Sequence, residues 1–137
     1  MAGYSGTPLP KKLGIKPGTT VALVNMPADV RSELAQALEQ CTVAKKPSAP
    51  LDYIHLFSKS RSELEAGLKQ SAKSLAPAGM LWVSWPKKSS GVPTDLTEDV
   101  IRAIGLKAGL VDVKVCAVND IWSGLKFVIP VKDRPAR

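Results

Sequence analysis

Three short apolar runs, Thr19–Val24, Leu51–Phe57 and Met80–Trp85, are each followed by a stretch whose apolar residues recur at helical spacing. Runs this short, rich in β-branched and aromatic residues and lacking polar alternation, suit strands buried on both faces. Amphipathic segments between such strands suit the helices that cover them. After the first run, Asp29 is expected to cap a helix that buries Val30, Leu34 and Leu38 on one face. After the second, Ser60-Arg-Ser-Glu63 has the spacing by which a hydroxyl and a carboxylate satisfy orphan amides at a helix start. That helix runs to about Ser74 and packs through Leu64, Leu68 and Leu75. Pro77-Ala-Gly79 breaks the chain, and Pro86 ends the third strand.

A loop over Lys87–Thr94 leads to a last helix, capped by Asp95 or Thr97, with Leu96, Val100, Ile101 and Ile104 as its apolar stripe. Val111–Val118 and Trp122–Ile129, joined at Asn119-Asp120, read as a β-hairpin. A short edge strand is expected at Thr42–Ala44, and Lys45–Pro50 forms a loop. The order strand, helix, strand, helix, strand, helix, strand predicts an α/β fold. Its form is a three-layer Rossmann-like, mostly parallel sheet with helices on both faces and a C-terminal antiparallel β-hairpin.

At 137 residues the chain suits one domain around one core. Residues 1–18, rich in glycine and proline, form an irregular arm with a helical turn near Pro8–Leu13. The α/β domain covers 19–131, and 132–137 is a flexible basic tail. A hydrophobic share of 45% against 23% charged residues excludes the composition of a disordered chain. No apolar run is long enough for a membrane span, and Met1-Ala-Gly-Tyr-Ser-Gly lacks a signal-peptide pattern, so a cytoplasmic location is expected. Cys41 and Cys116 form no CxxC pair and read as buried reduced thiols. The net charge of +7 draws anions toward the surface.

Gly14-Ile-Lys-Pro-Gly18, Leu51-Asp-Tyr-Ile54 and Leu75-Ala-Pro-Ala-Gly-Met-Leu-Trp-Val83 resemble the opening turn, a mid-sheet strand and the strand after it in S-adenosylmethionine-dependent methyltransferases. The closing helix and hairpin resemble the end of that fold. The resemblance implies cofactor binding after the first strand, where a glycine-rich turn should let backbone amides approach the ligand. Here that turn is Asn25-Met-Pro-Ala-Asp29, and no acidic residue for the cofactor ribose stands in Cys41–Lys46. Over nearly its whole length the chain resembles the DUF3052-type family of small bacterial proteins of unknown function. The residues that carry this resemblance are Tyr4-Ser-Gly-Thr-Pro8, Lys11-Lys-Leu-Gly-Ile15, Trp85-Pro-Lys-Lys88, Thr94-Asp-Leu-Thr-Glu-Asp99, Asp112-Val-Lys-Val-Cys116 and Trp122-Ser-Gly-Leu-Lys126. It implies no activity.

Ligands of open parallel sheets sit beyond the carboxyl ends of the strands. Position therefore nominates Asn25, Ser58, Lys59, Trp85, Lys87, Lys88, Ser89, Ser90, Gly91, Trp122 and Ser123 as a ligand-binding rim. Lysines, hydroxyls and the N-terminal amides of two helices would favour an anion there. The competing reading makes 87–91 a solvated loop and the two tryptophans core plugs. His55, mid-strand, is expected to be buried and satisfied by one hydrogen bond. Asp95, Glu98 and Asp99 are expected to serve a helix start rather than acid/base chemistry. No nucleophile elbow and no metal-ligand spacing is present, so no catalytic residue and no metal are nominated.

The leading expectation is a noncatalytic binding or adaptor protein on a methyltransferase-like scaffold, taking an anionic small molecule or a protein partner at the rim and using no cofactor. One alternative is a divergent methyltransferase that uses S-adenosylmethionine and closes its site with Trp85, Pro86 and Trp122. Another, resting on the charge and the lysine pairs, is a nucleic-acid-binding protein.

Overall fold

A computed structural model describes residues 7–45 and 50–134. The chain runs α1 (Leu9–Leu13), β1 (Thr20–Val24), α2 (Ala28–Glu33), α3 (Ala35–Glu39), β2 (Thr42–Val43), β3 (Leu51–Phe57) and α4 (Arg61–Ser74). It continues through β4 (Leu75–Pro86), α5 (Glu98–Lys107), β5 (Val111–Ala117) and β6 (Trp122–Val128). The six strands form one sheet in the order β2-β1-β3-β4-β6-β5. β2, β1, β3 and β4 pair in parallel, and β6 runs antiparallel to both β4 and β5. The expected α/β architecture, mostly parallel with antiparallel strands at the C-terminal end, is the one observed.

Alternation within the strands divides the core into two clusters, one on each face of the sheet. Ile54, Leu56, Leu81, Val83, Trp85 and Leu125 face α4 and α5, where Leu64, Leu68, Ile101 and Ile104 are buried. Tyr53, Phe57, Trp82 and Trp122 face the other way, against Leu9 and Leu13 of α1 and Val30, Leu34 and Leu38 of α2 and α3. The helical turn expected near Pro8–Leu13 is present as α1, and it docks on the core from residue 9 onward. Trp82 Nε1 donates to the carbonyl of Leu13 at 2.8 Å, which satisfies a buried indole and ties α1 to the middle strand.

Two local expectations need correction. The stretch after β1 is not one helix capped by Asp29. Pro27 holds the N-cap position, and Leu34 (φ −94°, ψ −1°) ends α2 and starts α3. The stripe Val30, Leu34, Leu38 is nevertheless buried as its spacing implies, because a single relaxed turn leaves the face unchanged. Nor does Pro77-Ala-Gly79 separate the helix from the strand. Leu75 already pairs with Leu51, and the next partners are Tyr53 and Met80, so the intervening residues bulge out of a continuous β4. Gly79 makes this fit, since a Cβ there would stand 2.9 Å from the Leu51 carbonyl oxygen.

The edge strand expected at Thr42–Ala44 is present as the two-residue β2. Most of the loop expected at 45–50 lies outside the described residues. A parallel crossover normally needs about a dozen residues or more. β2 is so short that it ends level with Tyr53, near the start of β3, so little length has to be retraced between the two strands. Both cysteines are free and partly buried. Residues 131–133 make one 3-10 turn, and the end of the expected tail lies outside the described residues.

Candidate functional site

At the carboxyl end of β1 the chain reverses through Asn25, which is exposed and adopts φ 57°, a left-handed conformation asparagine tolerates better than most residues. Met26 packs into the core beneath it, and Pro27 brings no amide hydrogen. Within the first turn of α2 the chain's own carboxylate takes one amide. Val30 N–H donates to Asp29 Oδ1 at 3.0 Å, and Asp29 Oδ2 accepts from Asn119 Nδ2 at 3.3 Å. A carboxylate of the chain itself therefore sits at the start of α2, bridged to the β5–β6 turn.

The start of α4 is filled in the same way. Ser60 Oγ accepts from Glu63 N–H, Glu63 Oε1 accepts from Lys59 N–H at 3.0 Å, and Asp95 Oδ1 accepts from Arg61 N–H at 2.8 Å. The capping pair read from Ser60 and Glu63 exists, with the carboxylate reaching one residue further back than in the usual box. Asp95 serves α4 instead of α5, whose cap is Thr97 Oγ1 accepting from Val100 N–H. At the two helix starts expected to favour an anion, Asp29, Glu63 and Asp95 thus place the chain's own negative charge and take the amides of Val30, Lys59 and Arg61.

The rim residues join through backbone more than through side chains. Ser58 is buried and donates its amide to the Ser84 carbonyl, and Lys87 N–H donates to Ile121 O at 2.7 Å. Lys59, Lys88, Ser89 and Gly91 are exposed. Ser90 Oγ folds back on Lys87 O at 2.6 Å and accepts from Val92 N–H, making 88–90 a self-contained turn. Trp85 pairs with Ser123, and Pro86 with Trp122, across β4 and β6. Trp85 and Trp122 nevertheless point to opposite faces, the first toward α4 and α5, the second edge-on against Phe57 at 5.1 Å. They do not close one site between them.

Two grooves lie away from the rim. One, of about 580 Å3, runs between α4 and α5 and is lined by Leu68, Lys69, Lys73, Ile104 and Lys107. The other, of about 230 Å3, lies beside α4 over β1 and β2 and is lined by Ala22, Val24, Ala44 and Gly67 among others. Neither includes a nominated rim residue.

A polar chain that the sequence reading passed over runs through the core. His55 makes two hydrogen bonds, not one: Tyr53 Oη lies 2.9 Å from Nδ1 and Ser84 Oγ lies 2.7 Å from Nε2. Tyr53 and His55 share a strand face by their i, i+2 spacing, and Ser84 is the only polar residue in the third apolar run, so a signal existed. Serine beside histidine invites a nucleophilic reading, but both are fully buried and Phe57 stacks on the imidazole at 4.4 Å. Desolvation lowers the His55 pKa to about 3, so the ring is neutral near pH 7. The chain satisfies buried polar groups and does not present a base. Among the described residues no group of three metal-ligating side chains occurs, and no helix is long and apolar enough to cross a membrane.

With this geometry in place, the family model for proteins of unknown function designated DUF3052 matches residues 10–131. The chain belongs to that family. No curated protein matches the DUF3052 chain in sequence. In three dimensions it is similar to a SAM-dependent methyltransferase from Aquifex aeolicus, at 16% identity and a TM-score of 0.64, with 87% of each chain covered. It is also similar to magnesium protoporphyrin IX methyltransferase from Synechocystis PCC 6803, at 14% identity and a TM-score of 0.60, covering 88% of this chain and 78% of that one. A methyltransferase from Clostridium acetobutylicum shares 7% identity and a TM-score of 0.57, covering 88% and 87%. At such identities the likeness establishes the methyltransferase-like fold of this DUF3052 member.

The residues present do not fit S-adenosylmethionine. The turn after β1 has Pro27 and the Asp29 carboxylate where bare amides are needed, and β2 is followed by Ala44 and Lys45 with no acid.

Proposed function

We propose that this protein is a noncatalytic binding or adaptor protein on a methyltransferase-like scaffold. The single observation behind this reading is the Asp29 carboxylate seated at the start of α2 behind Pro27, where it takes the Val30 amide and puts negative charge at the turn through which backbone amides would approach S-adenosylmethionine. A protein partner at the carboxyl edge suits the site better than a small anion. The helix starts there already carry the chain's own carboxylates, while the exposed Lys59 and Lys88 present charge beside the exposed Ser89.

Titration calorimetry with S-adenosylmethionine and with S-adenosylhomocysteine tests the reading, and no saturable heat is expected. Stoichiometric micromolar binding of either compound would overturn it in favour of the divergent methyltransferase suggested by the fold. Substituting Trp122 is no test of that alternative, since its indole is core and its loss would unsettle the domain.

A further inference from the structure

We propose that β5, the outer strand of the sheet, is a docking edge for an extended segment of another protein in which acidic and apolar residues alternate. The inference is independent of whether the scaffold is catalytic. β5 ends the strand order, and among the described residues no strand pairs with its outer side. Such an edge offers backbone donors and acceptors to one more strand, interrupted by the register shift between Asp112 and Lys114 and bounded by Ala117 O, which accepts from Lys12 Nζ.

The two faces of β5 differ in chemistry. Val115 lies opposite Leu125, on the α5 side, yet is 47% exposed, and Val113 at the strand's bulge is 54% exposed. On the other face Lys114 stands directly opposite Lys126. Lys114 Nζ donates to Lys12 O, and Lys12 Nζ donates to Ala117 O, each at 3.2 Å, so α1 brings a further cation to the same face. Burial first, and then the charges of Lys114 and Lys16, push the Lys126 ammonium below the ordinary lysine range. Like charges directly opposed on neighbouring strands cost stability. Among the described residues no carboxylate pairs with Lys16, Lys114 or Lys126. The one acid of the strand, Asp112, pairs instead with Arg102.

This juxtaposition selects the occupant. A second copy pairing antiparallel about the middle of Val111–Ala117 would set Lys114 against its own copy, adding repulsion to the existing lysine pair. A segment with acidic side chains on one face and apolar ones on the other would meet the lysines and Val115 at once, as the alternation of any added strand allows.

The test uses the full chain and synthetic peptides of about eight residues, near the common strand length. One alternates glutamate and valine, a second lysine and valine, a third glutamate and proline. The glutamate–valine peptide should bind and slow amide exchange across 111–117. The other two should bind about tenfold or more weakly, because one reverses the charge and the other removes ladder donors. Lys114→Glu should lower affinity for the glutamate–valine peptide and raise it for the lysine–valine peptide, with an unchanged circular dichroism spectrum. The proposal is overturned if the proline peptide binds as well as the valine one, if protection falls outside β5, or if the protein alone dimerises with β5 already protected.

Discussion

The environment of His55 couples the protein's stability to pH. Its ring is enclosed by Tyr53, Phe57, Trp82 and Ser84, and its folded pKa of about 3 lies below the ordinary 6.5. Below pH 6.5 the unfolded chain binds a proton that the folded chain refuses, so His55's contribution is fully present above that value and is lost progressively down to about pH 3. At pH 5 the loss is about 2 kcal/mol. Urea unfolding at pH 7 and pH 5 should show that difference, and His55→Gln, less stable at both values, should flatten it; an equal slope in the variant would assign the pH dependence elsewhere. Gly105 is a second sensitive residue, because a Cβ there would lie within 2.1 Å of the buried Phe127 ring. Alanine gains roughly 1 kcal/mol in helix propensity but overpacks an aromatic wall, and Gly105→Ala should destabilise by about 1–3 kcal/mol net in the same assay. Nothing in the one-dimensional pattern marks this position, since the clash comes from a strand more than twenty residues away.

The elements most legible in the sequence are those whose local chemistry and burial agree. Leu51–Phe57 forms β3 with the expected bounds, and Ser60 with Glu63 marks the start of α4 as read. Where a tertiary partner intervenes, legibility fails. Asp95 was legible as a helix cap but not as the cap of a helix beginning thirty-four positions earlier. Asp29 reads as a cap, but Pro27 holds that position and Asp29 ties Val30 N–H to the distant Asn119. Likewise, alternation along β4 and β6 does not reveal that Trp85 and Trp122, neighbours in the ladder, face opposite ways until the register is known. The Asp95 assignment is testable. Asp95→Ala should destabilise by about 1 kcal/mol, and Asp95→Asn, which keeps an acceptor oxygen, should recover most of that. Amide exchange at Arg61 should accelerate in the alanine variant; acceleration within α5 instead would return Asp95 to its expected role.

For the whole molecule, the sheet is the common wall of two cores that share no side chains but share the four strands β1, β3, β4 and β6. One is built on α4 and α5, the other on α1, α2 and α3, and residues such as Leu81 and Trp82 send adjacent side chains into each. An opening of either face exposes the backbone that supports the other, so the two cores should unfold together. Leu13→Ala acts on α1 and removes a fully buried side chain beside Trp82, while Ile101→Ala acts on the opposite face. Each should cost about 2–5 kcal/mol. Both should move the same single urea transition to lower midpoint with its steepness unchanged. The tryptophans offer a built-in check, since Trp85 reports one face and Trp82 and Trp122 the other. Coincident transitions of the three tryptophans, resolved by fluorine NMR of fluorotryptophan in the otherwise unsubstituted chain, and of the circular dichroism are the expected result. If Leu13→Ala shifted the signal of Trp82 while Trp85 still reported the wild-type transition, α1 and its cluster would be a separable layer rather than half of one cooperative unit.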